Sequence, residues 1–163
     1  LRAEVADRTR RELGLLRVVD RLRPAEGAAL AVTVVGAGTV HGRLVDAGND
    51  WLLLEETGVR EALVPFAAVT GISGLGVRSD APGAEGEVGK RLDLRWALRG
   101  LARSRAGVTL ALRDGTAVTG TLDRVGADHV DVAEHPTGEA RRAAAVRQVR
   151  LVPLAAVAVV RSG

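Results

Sequence analysis

The sequence predicts a mainly-β fold: two tandem, strongly bent five-stranded antiparallel β-barrels, each preceded by an α-helix, packed as a pseudo-symmetric pair. Three observations predict it. A seven-residue motif occurs twice, as Leu63-Val-Pro-Phe-Ala-Ala-Val69 and as Leu151-Val-Pro-Leu-Ala-Ala-Val157, identical at six positions. Upstream residues match in the same order, Gly42-Arg-Leu44 with Gly120-Thr-Leu122, then Gly48, Asp50, Leu52, Leu54 and Glu56 with Gly126, Asp128, Val130, Val132 and Glu134. Ordered self-similarity of this kind marks an internal duplication. Third, short β-rich runs recur between tight turns, the pattern of a small closed barrel, which has no edge left to aggregate.

The elements follow in order. Thr9–Arg23 carries Leu15, Val18, Val19 and Leu22 at helical spacing, and Pro24 closes the helix. Strands are expected at Leu30–Val35, Thr39–Val45, Trp51–Glu56, Ala62–Phe66 and Val69–Ser73, with turns at Gly36-Ala-Gly38 and Ala47–Asp50. The second unit repeats the series: a helix at Leu92–Arg103, then strands at Val108–Arg113, Ala117–Leu122, His129–Ala133, Val149–Val152 and Val157–Arg161. Asp114-Gly115 suits a hairpin. Gly42 and Gly120 fall inside strand patterns, where they let a strand bend. The units divide as 1–77 and 88–163, with a linker at 78–87 rich in Gly, Pro, Asp and Glu. The second unit is longer at His135–Arg150. Equivalent motif positions predict equivalent burial for Leu63, Val69, Leu151 and Val157.

Composition narrows the function classes. The 163 residues include no cysteine, which excludes disulfides and thiolate metal sites. No apolar run is long enough to span a bilayer and no signal peptide is seen, so a cytoplasmic setting without a membrane is expected. The chain begins at Leu1, which leaves open a missing upstream segment. Trp51, Trp96 and Phe66 are its only aromatics, so Val, Leu and Ala must build the core. The net charge of +3 is modest and uneven: +2 over 1–29, −3 over 30–77, +3 over 78–105 and +1 over 106–163. The helical segments are basic and the strand-rich ones near neutral or acidic, whereas nucleic-acid binders show a stronger basic face.

Gly42-Arg-Leu44, followed by Asp46, Asn49 and Leu52, resembles the first motif of the Sm-like proteins (the Sm, LSm and Hfq families). The second unit keeps Gly120 and Leu122 but has Arg124 and Ala127 at the polar positions. The resemblance implies Sm-like barrels, and a nucleotide pocket at Asp46 and Asn49 that binds RNA. Leu63–Val69, with its Val-Pro-apolar step, is similar instead to the PRC barrel, another small binding module. The paired layout is also similar to that of an actinobacterial family.

Catalytic signals are sparse. His41, His129 and His135 lack the partners of a metal site and read as surface histidines. Gly36-Ala-Gly38 is not followed by the Lys-Ser/Thr of a phosphate loop. Asp46, Asn49 and Asp50 also suit ordinary turn chemistry. The expectation is a non-enzymatic binding or scaffold protein with no cofactor, whose partner is a protein or another copy of itself, with RNA as the alternative. The second helix marks the surface. Leu94, Leu98 and Leu101 form one stripe, while Arg91, Arg95, Arg99 and Arg103 form another that includes Trp96. Trp96 lies opposite Leu94 and needs a second body to cover it.

Overall fold

The computed structural model describes residues 1–136 and 145–163. The first half contains α1 (Arg2–Leu13), α2 (Val18–Leu22), β1 (Ala29–Val34), β2 (Gly38–Ala47), β3 (Trp51–Glu55), β4 (Glu61–Pro65) and β5 (Val69–Ser73). The second contains α3 (Gly86–Lys90), α4 (Leu94–Ser104), β6 (Gly107–Leu112), β7 (Ala117–Val125), β8 (His129–Glu134), β9 (Gln148–Pro153) and β10 (Val157–Ser162).

This architecture corrects the expectation of two five-stranded barrels. The ten strands of the described residues belong to one antiparallel sheet, in the order β5-β1-β2-β3-β4-β10-β6-β7-β8-β9. Among the described residues the sheet is open, ending in β5 and β9. The reason lies in the duplicated motif. Pro65 and Pro153 end β4 and β9, and a 3-10 turn follows each, at Phe66–Ala68 and Leu154–Ala156. The fifth strand of each half is thereby carried across to the first, so β5 pairs with β1 and β10 with β6. No half closes on itself. Instead β10 also pairs with β4, matching Val160 to Leu63, Arg161 to Ala62 and Ser162 to Glu61.

The strands nevertheless bend. Register shifts interrupt β2 between Leu44 and Asp46, and β7 between Leu122 and Arg124. Such bulges sharpen twist and curvature. Gly42 and Gly120 permit the close approach that results. A Cβ on Gly42 would lie 2.7 Å from the Glu55 carbonyl oxygen, and one on Gly120 only 2.0 Å from that of Ala133.

Two apolar clusters form the core, and they trade residues across the β4–β10 seam. Trp51 and Leu63 of the first half pack with Leu94, Leu98, Leu110 and Val132. Ala158 and Val159 of β10 pack with Leu22, Val32, Leu44 and Leu54 of the first half. Burial at the two motif copies is therefore unequal, contrary to the sequence expectation. Leu63 is 4% exposed and Leu151 58%; Val157 is fully buried and Val69 only partly. The seam covers one copy of each position and leaves the other at an open edge.

The helix expected at 9–23 is instead broken. α1 begins earlier, buries no residue, and ends where the Gly14 N–H donates to Arg10 O. A new start follows at Arg17, whose N–H donates to Asp20 Oδ2 at 2.9 Å. Of the expected stripe only Val19 and Leu22 are buried; Leu15 and Val18 are exposed. The glycine-rich 78–87 stretch is tied back onto α2. The Asp80 N–H donates to Asp20 O at 2.7 Å, and the buried Glu85 carboxylate pairs with Arg17 and, at 3.2 Å, with Arg23. The longer stretch expected at 135–150 lies partly outside the described residues. Among the described residues, no helix is long and apolar enough to cross a membrane.

Candidate interaction surface

The α4 surface is assembled from both halves. Asp93 caps the helix, its Oδ1 accepting the Trp96 N–H at 2.9 Å, in the extended conformation an N-cap requires. A second carboxylate comes from the β2–β3 turn: Asp50 Oδ1 accepts the Leu94 N–H at 2.8 Å. The same turn grips Leu92, whose carbonyl oxygen accepts the Asn49 N–H at 3.2 Å and the Trp51 Nε1–H at 2.8 Å. A short glycine-punctuated turn of the first half thus fixes where the second helix starts.

The two carboxylates differ electrostatically. Burial pushes Asp50 up, and the nearby Asp93 charge adds to this, against the Leu94 N–H; its pKa lies above the ordinary value. Burial also opposes the charge on Asp93, but the Trp96 N–H and the Arg95 guanidinium outweigh it and hold its pKa below the ordinary value.

Leu94 and Leu98 face inward, as the helical stripe predicts. Trp96 stays 39% exposed and stacks on the buried Trp51, with ring centroids 6.1 Å apart and planes inclined by 22°. The second body that Trp96 needs is therefore β3 of the first half. Beside this pair runs an open groove of about 310 Å³, lined among others by Asp46, Leu53, Glu61, Leu63, Gly100 and Arg103. Arg91, Arg99 and Arg103 are exposed, whereas Arg95 is half-buried and held by Asp93 at 3.2 Å. The arginine arc and Trp96 thus share an accessible face.

The residues of the Sm-type pocket are engaged within the chain. Asp46 Oδ1 accepts its neighbour Ala47's N–H at 2.8 Å, and Asn49 Oδ1 accepts from Arg17 Nη1 at 3.2 Å. Asp46 is a strand residue at the β2 bulge and Asn49 a residue of the β2–β3 turn, and the side-chain acceptor of each is engaged by the chain itself. The histidines are scattered. His41 is exposed, and His129 Nδ1 lies 2.8 Å from Asp128 Oδ1, which holds Asp128 below its ordinary pKa. His135 departs from the surface expectation. It is 4% exposed, its Nδ1–H donates to Pro136 O at 3.1 Å, and its Nε2 lies 2.6 Å from the Thr121 hydroxyl oxygen. No group of three metal-ligating side chains occurs among the described residues.

Sequence reasoning missed the two sheet edges. On β9, Val149 and Leu151 project from one face and are both exposed. On β5, Val69 and Ile72 are half-covered. The alternation Val149-Arg150-Leu151 was a signal, but a closed barrel hides it by supplying a neighbouring strand. In comparisons with known proteins, no family model matches the sequence, and no curated protein does.

Proposed function

We propose that this protein is a non-enzymatic binding or scaffold module that takes a protein partner by strand addition at its open sheet edges. One observation carries the reading: among the described residues β9 ends the sheet, with Val149 and Leu151 exposed beside a strand edge that no other described strand pairs. An edge of that kind is a template for another strand, and proteins that do not use one blunt it. A peptide backbone would supply affinity through ladder hydrogen bonds, and pockets for alternate side chains would supply selectivity. A cytoplasmic setting accords with the absence of cysteine.

The test is selection of displayed random peptides of strand length on the full chain. Binders should slow amide hydrogen exchange in β5 or β9. Binders that protect only the Trp96–Arg103 surface, or none that protect either edge, overturn the reading.

A further inference from the structure

We infer that the chain carries a binding site for a small phosphate monoester, in the groove that β6, β7 and β10 form with the β3–β4 turn of the first half. The site is separate from the two sheet edges and independent of strand addition.

Duplication has placed this groove in both halves. In the first half it encloses about 580 Å³ beside Ala31, His41, Arg43, Glu55 and Ser73. In the second it encloses about 470 Å³ beside Gly107, Thr109, Thr119, Arg161 and, from the other half, Arg60. Both volumes suit a small ligand. Strand register matches the two grooves position by position. Ala31 lies opposite His41 and Ser73, as Thr109 lies opposite Thr119 and Arg161. Arg43 lies opposite Glu55, as Thr121 lies opposite Ala133. The replacements run in one direction. Glu55 of the first half becomes Ala133, Ser73 becomes Arg161, and Ala31 and His41 become threonines. The first groove is lined by one base, Arg43, against two acids, Glu55 and Glu56. The second is lined by two bases, Arg60 and Arg161, and among the described residues by no acidic side chain.

The polar groups converge. Arg161, Thr109 and Thr119 sit side by side on β10, β6 and β7. Directly opposed residues on neighbouring strands share a face, with Cβ atoms about 5 Å apart. Arg161 is held in place by the chain itself: its Nε donates to Glu56 Oε1 at 2.9 Å, and its side chain is 23% exposed. That contact engages one nitrogen of the guanidinium, and its two terminal nitrogens have no partner among the described residues. Arg60 is exposed and makes no ion pair among the described residues, and neither threonine hydroxyl has a hydrogen-bond partner there. Gly107 lies on the Thr109 side of β6 and leaves the groove open, since a Cβ there would meet nothing within 4 Å. The buried His135 forms part of the wall, with its ring nitrogens already turned to Thr121 and Pro136.

Two guanidiniums and two hydroxyls in one groove are donors in want of acceptors. A phosphate monoester matches them. It is close to doubly charged at neutral pH. Its three terminal oxygens can accept from the guanidinium nitrogens on one side and from the hydroxyls on the other, in charge-assisted hydrogen bonds. A monocarboxylate brings one charge and two oxygens, and leaves part of the donor set unmet. The phosphodiester of a nucleic-acid strand likewise brings a single charge. Ala106 and Val108 offer the body of the ester an apolar surface beside the charged end.

Isothermal titration of the full chain at low salt, with glycerol 3-phosphate, inorganic phosphate, acetate and a short single-stranded oligonucleotide, tests this. The ester and inorganic phosphate should bind one-to-one, with acetate at least about tenfold weaker. Arg60→Ala and Arg161→Ala should each weaken the ester at least about tenfold, because each removes a charge-assisted contact. Gly107→Leu should abolish binding by filling the groove with no change of charge. Arg43→Ala, in the matching groove of the first half, should leave the affinity unchanged. Circular dichroism and the thermal transition establish that each variant is folded. Should Arg161→Ala fail to fold, Arg60→Ala and Gly107→Leu, both at exposed positions, decide the matter. No binding of either phosphate at millimolar concentration, full affinity in Arg60→Ala or Gly107→Leu, or an equal loss in Arg43→Ala overturns the inference. An oligonucleotide that displaces the ester and binds more tightly also overturns it, and reassigns the same donors to a phosphodiester backbone.

Discussion

Two tryptophans and two aspartates tie the halves together, and each has a separable effect. Trp51 is buried and donates to Leu92 O, so Trp51→Ala should destabilise by about 3–5 kcal/mol. Trp96 is partly exposed and contributes mainly its stacking, so Trp96→Ala should cost about 1 kcal/mol. Urea unfolding followed by circular dichroism distinguishes the two. Asp93→Ala removes an N-cap and should cost about 1 kcal/mol at neutral pH. Because the folded pKa of Asp93 is depressed, that contribution is full above the ordinary value of 3.8 and is lost as pH falls through the folded pKa. Asp50 has the opposite sign. Its raised folded pKa favours the folded state below 3.8, and the advantage is lost as pH rises through the raised value. Asp50→Asn keeps an acceptor for the Leu94 N–H without the charge. It should therefore raise the melting temperature relative to wild type at neutral pH, with the gap closing in acid. The outward position of Trp96 was legible from its angle to Leu94. Its partner was not, because stacking on Trp51 depends on a turn that docks from the other half.

Strand positions were largely legible, since β-rich runs between glycine turns leave little freedom. Val69–Ser73 coincides with β5, and the remaining strands differ from expectation by a few residues at their ends. The first helix was less legible. Apolar spacing over 15–22 reads as one stripe, but Gly14 and the Arg17–Asp20 hydrogen bond set a new start, and propensity alone does not locate it. The glycines within strands were recognised for bending, yet their stronger constraint is a neighbouring carbonyl. Gly120→Ala should cost about 1–3 kcal/mol because its Cβ would collide with Ala133 O. Gly100→Ala is the control. It sits in α4 with open space where its Cβ would go, and should stabilise by up to about 1 kcal/mol. Thermal melts of the two variants should move in opposite directions.

At the scale of the whole molecule, a duplicated motif was visible, but the pairing of its copies was not. Periodicity specifies that Leu63 and Leu151 occupy like positions on like strands. It says nothing of which strand lies alongside, and that is decided by where the chain crosses after Pro65 and Pro153. Closing each half on itself and sharing a strand between halves satisfy the same pattern, and the structure shows the second. The difference is measurable. Leu63→Ala leaves a cavity at the seam and should cost about 2–5 kcal/mol. Leu151→Ala removes atoms already in solvent and should stay within about 0.5 kcal/mol in dilute solution. Equal losses, measured by denaturant titration at low protein concentration, would show that Leu151 is covered within a single chain.

The placement of β10 between β4 and β6 has a consequence for how the chain is made. β10 comprises residues 157–162, yet it supplies Ala158 and Val159 to the core of the first half and covers Leu63. During synthesis the first half therefore emerges with its seam strand bare, and stays so until the second half has followed. Contacts of such long sequence separation form slowly. Over that interval β4 is a sticky edge on a growing chain, and nascent copies crowded on one messenger would meet there before either could fold shut.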